Sequence, residues 1–165
     1  MKTIILAGGC FWGVEAYYKK LKGVLNTQVG YANGNYPNPT YEEICDEKAT
    51  HAEAVYVQYD EKIITLDKLL EHLFRMIDPT SVNKQGHDEG IQYRTGVYFE
   101  DKKDELIAKQ YIKKRQVEYK KPIALEIQPL RGFYDAETYH QDYLDKNPKG
   151  YCHVDFRVLR KEEMK

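Results

Sequence analysis

Apolar positions along the chain switch between two periods, and the switches mark its elements. Residues 3–7 (TIILA) form a short continuous apolar run closed by Gly8-Gly9, the pattern of a buried strand feeding a turn. After Cys10, Val14, Tyr17, Tyr18 and Leu21 recur at helical spacing, and Gly23 is the expected stop. Residues 24–31 read as a strand anchored by Val24 and Val29. Residues 32–41 (ANGNYPNPTY) concentrate glycine, proline and asparagine, which is loop chemistry. Thr40 and Glu43 have the spacing of a capping box, so one helical turn should follow through Cys45. Residues 54–59 put Val55, Val57 and Tyr59 on one face of a strand.

The clearest element comes next. Leu66, Leu69, Leu70, Leu73, Phe74 and Ile77 trace one broad apolar stripe of a helix. Thr65 can cap its start and Pro79 ends it. A polar loop over 79–92 leads to a strand over 93–99 and a long charged helix over 101–120, with Ile107 and Tyr111 inward. Ile123, Leu125 and Ile127 alternate in a further strand over 123–128. The pattern then weakens. Residues 135–145 suggest a tyrosine-rich helix, and 147–150 (NPKG) a turn. The order β-α-β, β-α-β, α-β fits an α/β fold or a split-βαβ two-layer plait.

Composition narrows the picture. At about 150 residues per domain, 165 residues make one domain. The 25 basic and 26 acidic residues leave a net charge of −1, which excludes a nucleic-acid binder acting through bulk charge. No apolar run is long enough to span a membrane, and Met1-Lys2 precedes too short a run for a secretory signal. A cytoplasmic location is expected. The three cysteines, Cys10, Cys45 and Cys152, form no Cys-x-x-Cys, so neither a disulfide framework nor a four-cysteine zinc site is indicated. Fifteen tyrosines against five phenylalanines are unusual, and some hydroxyls could point into a site.

The sharpest chemistry lies in Gly8-Gly9-Cys10-Phe11-Trp12-Gly13. A cysteine between strand and helix meets unpaired N–H groups and the helix dipole, which should lower its pKa and favour the thiolate nucleophile. Glycine on both sides leaves the sulfur open to approach. Phe11 and Trp12 read by themselves as core, or as the lining of an apolar pocket beside a nucleophile. A hydrolase would need a histidine base, but His72 reads as structural and His140 as a surface residue. His51-Ala-Glu53 and Cys152-His153 match no standard metal spacing. Cys152 follows Pro148 and Gly150 in a stretch that reads as a mobile tail, as a resolving cysteine would require. Cys45 is the other candidate, but beside the capping-box turn it looks more fixed.

Together these segments resemble the peptide methionine sulfoxide reductase A family. Residues 9–13 (GCFWG) resemble its signature, residues 38–43 (NPTYEE) its tyrosine loop, and residues 51–55 (HAEAV) its acid-bearing strand. Residues 85–94 (QGHDEGIQYR) resemble its aspartate-tyrosine loop, and residues 147–152 (NPKGYC) its recycling-cysteine segment. Thr50 stands where the family commonly has glycine and His87 where asparagine is common; neither position has a chemical role. The tail holds no cysteine beyond Cys152.

The resemblance implies reduction of methionine-S-sulfoxide. Cys10 would attack the sulfoxide sulfur. Glu53 would be the general acid, although the residue pattern alone reads it as a solvated charge at a strand end. Tyr41 and Tyr93 would donate to the developing oxyanion, and Phe11 and Trp12 would cage the substrate methyl. Asp88, by pattern a loop carboxylate, would hold the pocket or touch substrate. Cys152 would resolve the Cys10 sulfenic acid to a disulfide, with residues 146–165 as the mobile tail of a single catalytic domain. Thioredoxin would be the reductant, with oxidised proteins and free methionine-S-sulfoxide as substrates. No cofactor, metal, nucleic acid or membrane is implied, and a monomer is expected. The expected fold is α/β (α+β): a two-layer sandwich with a mixed sheet, as a ferredoxin-like (split βαβ) plait with extra helices and a coil-rich C-terminal tail. Two rival readings share the residues: a thiol peroxidase or redox sensor using Cys10 and Cys152, and a binding module with inert cysteines.

Overall fold

The computed structural model describes residues 1–150 and 152–165; Tyr151, within the expected recycling-cysteine segment, lies outside the described residues. The chain runs through β1 (Lys2–Gly8), α1 (Phe11–Lys19), β2 (Val24–Ala32), α2 (Tyr41–Cys45), β3 (Ala52–Tyr59) and α3 (Leu66–Met76). It continues through β4 (Lys84–Gln85), β5 (Asp88–Glu89), β6 (Thr95–Phe99), α4 (Lys102–Gln116), β7 (Glu126–Pro129), β8 (Phe133–Asp135) and α5 (Tyr143–Lys146). Among the described residues, six strands form one sheet in the order β7-β6-β1-β3-β2-β8, and β4 and β5 form a separate small hairpin. The β6–β7 pair is parallel and the other pairs of the large sheet are antiparallel, so the sheet is mixed.

Alternation along the strands builds two faces. Leu6, Val29, Tyr31, Val55, Val57 and Val97 meet Val14, Tyr17 and Tyr18 of α1 and the leucine stripe of α3 in the main core. Ile5, Ala7, Ala32, Ala54 and Tyr98 form a smaller cluster on the other side. The cap of α3 is as expected: Thr65 accepts from the Lys68 N–H, and Ile77 returns to extended backbone before Pro79. The short helix α2 carries its capping box, with Thr40 and Glu43 each accepting from the other's backbone N–H.

Four expectations need correction. The helix after Cys10 stops at Lys19, several residues before Gly23. The strand expected over 93–99 begins at Thr95, because residues 91–93 close into a 3₁₀ turn after Gly90 at φ +146°. The strand over 123–128 is Glu126–Pro129. The tyrosine-rich helix over 135–145 does not form. Its place is taken by the end of β8, a 3₁₀ turn at Thr138–His140 and the four residues of α5, with Asp142 left-handed at φ +55° between them. A left-handed residue cannot continue an α-helix, so side-chain contacts rather than helical periodicity hold this stretch.

The C-terminal segment is tied to the body at its far end. Glu163 pairs with Arg75 of α3 at 2.8 Å, its carbonyl accepts from the Lys22 N–H at 3.0 Å, and Met164 bridges Leu21. At its near end, Asp142 and Asp145 pair with Lys19 of α1. Cys152 lies between these anchors.

Candidate active site

Cys10 is the N-cap of α1, just after β1 has delivered the chain to the edge of the core. Gly9 precedes it at φ +87°, a conformation glycine reaches without strain. The sulfur is not the exposed thiolate expected from a helix start: Cys10 is 6% exposed. Burial pushes its pKa up, the nearby Glu53 charge adds to this, and the opposing hydrogen bond from the Trp12 backbone N–H is too weak to reverse it. Desolvation therefore outweighs the helix terminus, and the resting group is a neutral thiol.

Glu53 is equally far from the solvated strand-end charge that its pattern suggests. It is 1% exposed, near the start of β3 and paired across the sheet with Tyr31. Its Oε1 accepts from the Phe11 N–H at 3.2 Å, which joins the carboxyl to the residue beside Cys10. Burial raises its pKa to about 8, with the Phe11 hydrogen bond opposing. At neutral pH the protonated form is the favoured one. A carboxylic acid able to give up a proton thus stands beside a cysteine.

Aromatic rings enclose this pair. Phe11 lies 5.8 Å from the Tyr31 ring and 5.3 Å from the His140 ring. Trp12 stacks on Tyr143 at 3.8 Å and donates its indole N–H to His140 Nδ1 at 3.0 Å. His140, expected at the surface, is 1% exposed and also packs on the Tyr41 ring at 4.4 Å. Burial lowers its pKa, so it is neutral. Accepting from Trp12 through Nδ1 then fixes the proton on Nε2. Glu137 completes the wall, accepting from the Tyr31 hydroxyl at 2.8 Å and the Tyr41 N–H at 2.9 Å. Sequence reasoning missed Glu137, His140 and Tyr143; their only signal was the excess of aromatic residues in a stretch without period.

Tyr41 and Tyr93 both sit within the field of Glu53, and burial pushes both hydroxyls up, so they remain donors at neutral pH. Tyr93 also feels Cys10 and Asp88. Asp88, at the start of β5, has its carboxyl raised by burial, and its Oδ2 has no hydrogen-bond partner among the described residues. His140 Nε2 is likewise buried and unpaired. Unpaired buried groups of this kind want a ligand or a water. Cys45 is exposed at the end of α2, and its thiol and the Tyr41 hydroxyl each shift the other. Cys152 is half-buried, close enough to Cys10 for the two thiols to influence each other's ionisation, and burial pushes its thiol up. All three thiols are free. The structure therefore gathers Cys10, Phe11, Trp12, Tyr41, Glu53, Asp88, Tyr93 and Cys152 from five separate stretches of chain. Among the described residues no three His, Cys, Asp or Glu side chains cluster as a metal site, and no helix is long and apolar enough to cross a membrane.

The family model described as peptide methionine sulfoxide reductase matches residues 2–165. The chain belongs to the peptide methionine sulfoxide reductase family. The peptide methionine sulfoxide reductase MsrA of Clostridium acetobutylicum is 56% identical over 161 residues, covering 98% of this chain and 99% of that protein. Mxr1 from Saccharomyces cerevisiae in reduced form superposes with a TM-score of 0.88 at 40% identity, over 97% of this chain and 92% of Mxr1. Mxr1 in complex with Trx2 matches with a TM-score of 0.62 at 31% identity, over 86% of this chain and 84% of that one. The α+β fold with its mixed sheet is thus that of the methionine sulfoxide reductases, and the chain is an oxidoreductase.

Proposed function

We propose that this enzyme reduces the S epimer of methionine sulfoxide, in oxidised proteins and as the free amino acid, with thioredoxin as the final reductant. The observation that carries the reading is a protonated, buried Glu53 hydrogen-bonded to the residue beside Cys10. A sulfoxide oxygen gains charge as its sulfur is attacked, and it leaves only if protonated. An acid with a pKa near working pH suits that transfer. Cys10 attacks the sulfoxide sulfur and gives up its proton. Glu53 delivers one to the oxygen, and the thiol proton restores Glu53. Tyr41 and Tyr93 donate to the oxygen in a site with little water, where fixed donors act most strongly. Phe11 and Trp12 receive the methyl group, and Asp88 offers its unpaired oxygen to the substrate's polar main chain. The products are methionine and the Cys10 sulfenic acid.

Cys152 then condenses with that sulfenic acid to a disulfide, and a dithiol partner exchanges with it. The complex of Mxr1 with Trx2 supports thioredoxin in that role. Cys152 lies between the Lys19 and Arg75 anchors, within the single domain of residues 1–165. Repair of oxidised methionine under oxidative stress is the work such a cycle performs. We also class the core as a ferredoxin-like plait, a reading supported by the strand order β6-β1-β3-β2 around α1 and α3.

Single-turnover reduction of each sulfoxide epimer in a peptide, without added thiol, tests the reading. One methionine per enzyme from the S epimer alone, with two thiols lost, is expected. Loss of the same thiols to peroxide with no methionine from either epimer would make the protein a thiol peroxidase instead.

A further inference from the structure

Glycine is disfavoured inside helices, yet Gly13 is buried in the first turn of α1, three residues after Cys10. A methyl group there would stand 2.3 Å from Cys152 Sγ and 3.0 Å from Val154 Cγ2. Real side-chain carbons do not come that close, so the bare Cα is what lets the sulfur lie against the helix. The turn before Cys10 is built likewise. A methyl group on Gly9 would meet His153 Cε1 at 3.1 Å and Gln85 Cβ at 2.8 Å. Residues 152–154 therefore lie over the two glycines that bracket the nucleophile. Val154 is buried there, and its N–H donates to Cys152 Sγ at 3.3 Å; burial raises the Cys152 thiol, and this hydrogen bond opposes the rise. None of these contacts involves Glu53, Tyr41 or Tyr93. They hold one thiol near another.

We propose that Gly13 is a positioning residue for recycling: its missing side chain is the seat that holds the Cys152 thiol against the first turn of α1, where the Cys10 sulfenic acid forms. The inference rests on the two-cysteine cycle proposed above. In the step it serves, the Cys152 S–H bond breaks and its sulfur attacks the Cys10 sulfur. The S–S bond forms as the Cys10 S–O bond breaks, and the oxygen leaves with the proton and the hydroxyl hydrogen as water. The sulfenic acid is reduced, the thiol is oxidised, and no outside oxidant enters.

The test is Gly13→Ala in the full chain. Methionine release in a single turnover should stay within about threefold of the parent. Disulfide formation should slow by roughly 100-fold, the scale for displaced reacting groups. A sulfenic-acid trap should then label Cys10 in the variant and not in the parent. Thioredoxin-driven turnover should fall in step, while dithiothreitol, which attacks the sulfenic acid directly, should restore it. A disulfide formed at the parental rate would overturn the proposal. Excess hydrogen peroxide supplies a second arm, as a route to the Cys10 sulfenic acid that needs no sulfoxide. Absence of methionine release from the parent would sink the functional reading, while the peroxide arm still measures the seat. Should Gly13→Ala destabilise the fold, Cys152→Ala in the same chain should recover most of the lost Tm, because it vacates the space. No recovery would assign the clash elsewhere and count against the seat.

Discussion

Burial at two residues decides the chemistry of this site. Cys10 and Glu53 both carry groups that water would ionise, Glu53 fully and Cys10 in part, at neutral pH, and both are withdrawn from water. Desolvation penalises the charged forms, so the acid keeps its proton and the thiol keeps its own until substrate arrives. The same logic fixes His140. Neutral and buried, it accepts from the Trp12 indole and so helps to fix the orientation of that ring. Replacing His140 with Phe keeps the ring and removes the acceptor. A net hydrogen bond is worth about 1 kcal/mol, so KM for methionine sulfoxide should rise by roughly fivefold in steady-state assays, with the fold intact by circular dichroism. An unchanged KM would mean that stacking on Tyr143 alone orients Trp12.

At the scale of elements, strong periodicity was legible and side-chain scaffolding was not. The α3 stripe and the α2 capping box follow from spacing alone, because local chemistry decides them. Residues 133–146 do not, because contacts from distant chain decide them: Gln141 accepts from the Val29 N–H, and Glu137 holds Tyr31 and Tyr41. His140 was misjudged for that reason, and Glu53 because position in a strand says nothing of what covers its end. The anchor at Glu163 is another contact that spacing hides. Arg75 holds the Glu163 carboxyl low, at about 2, so the folded state binds fewer protons than the unfolded chain between that value and the ordinary 4.5. The stability it contributes is present above that window and is lost as pH falls through it. Glu163→Gln should therefore lower Tm clearly at pH 6 and by progressively less toward pH 2. A Tm difference independent of pH would show that packing, rather than charge, ties down the C-terminal segment.

For the whole molecule, the ends of two central strands, one helix start and one returning tail meet at a single sulfur. The mixed sheet sets Glu53 and Cys10 side by side from distant sequence, and the C-terminal segment crosses α1 to bring Cys152 to the same turn. Cys152→Ser should still release about one methionine per enzyme and then stall with thioredoxin, because a sulfenic acid alone gives thioredoxin no disulfide to exchange. Sustained thioredoxin-driven turnover in that variant, counted as methionine per enzyme, would move the resolving role to Cys45. The first half of the proposed cycle depends on a protonated Glu53 to drive oxygen transfer to Cys10. It is tested most directly by the pre-steady-state rate of methionine release for the parent and Glu53→Gln across pH 6 to 10. The parental rate should fall as pH rises through about 8, where Glu53 ionises, and the variant should be slower by roughly 100-fold and lack this fall. A variant matching the parent in rate and pH profile would remove Glu53 from the reaction and leave the site without its acid.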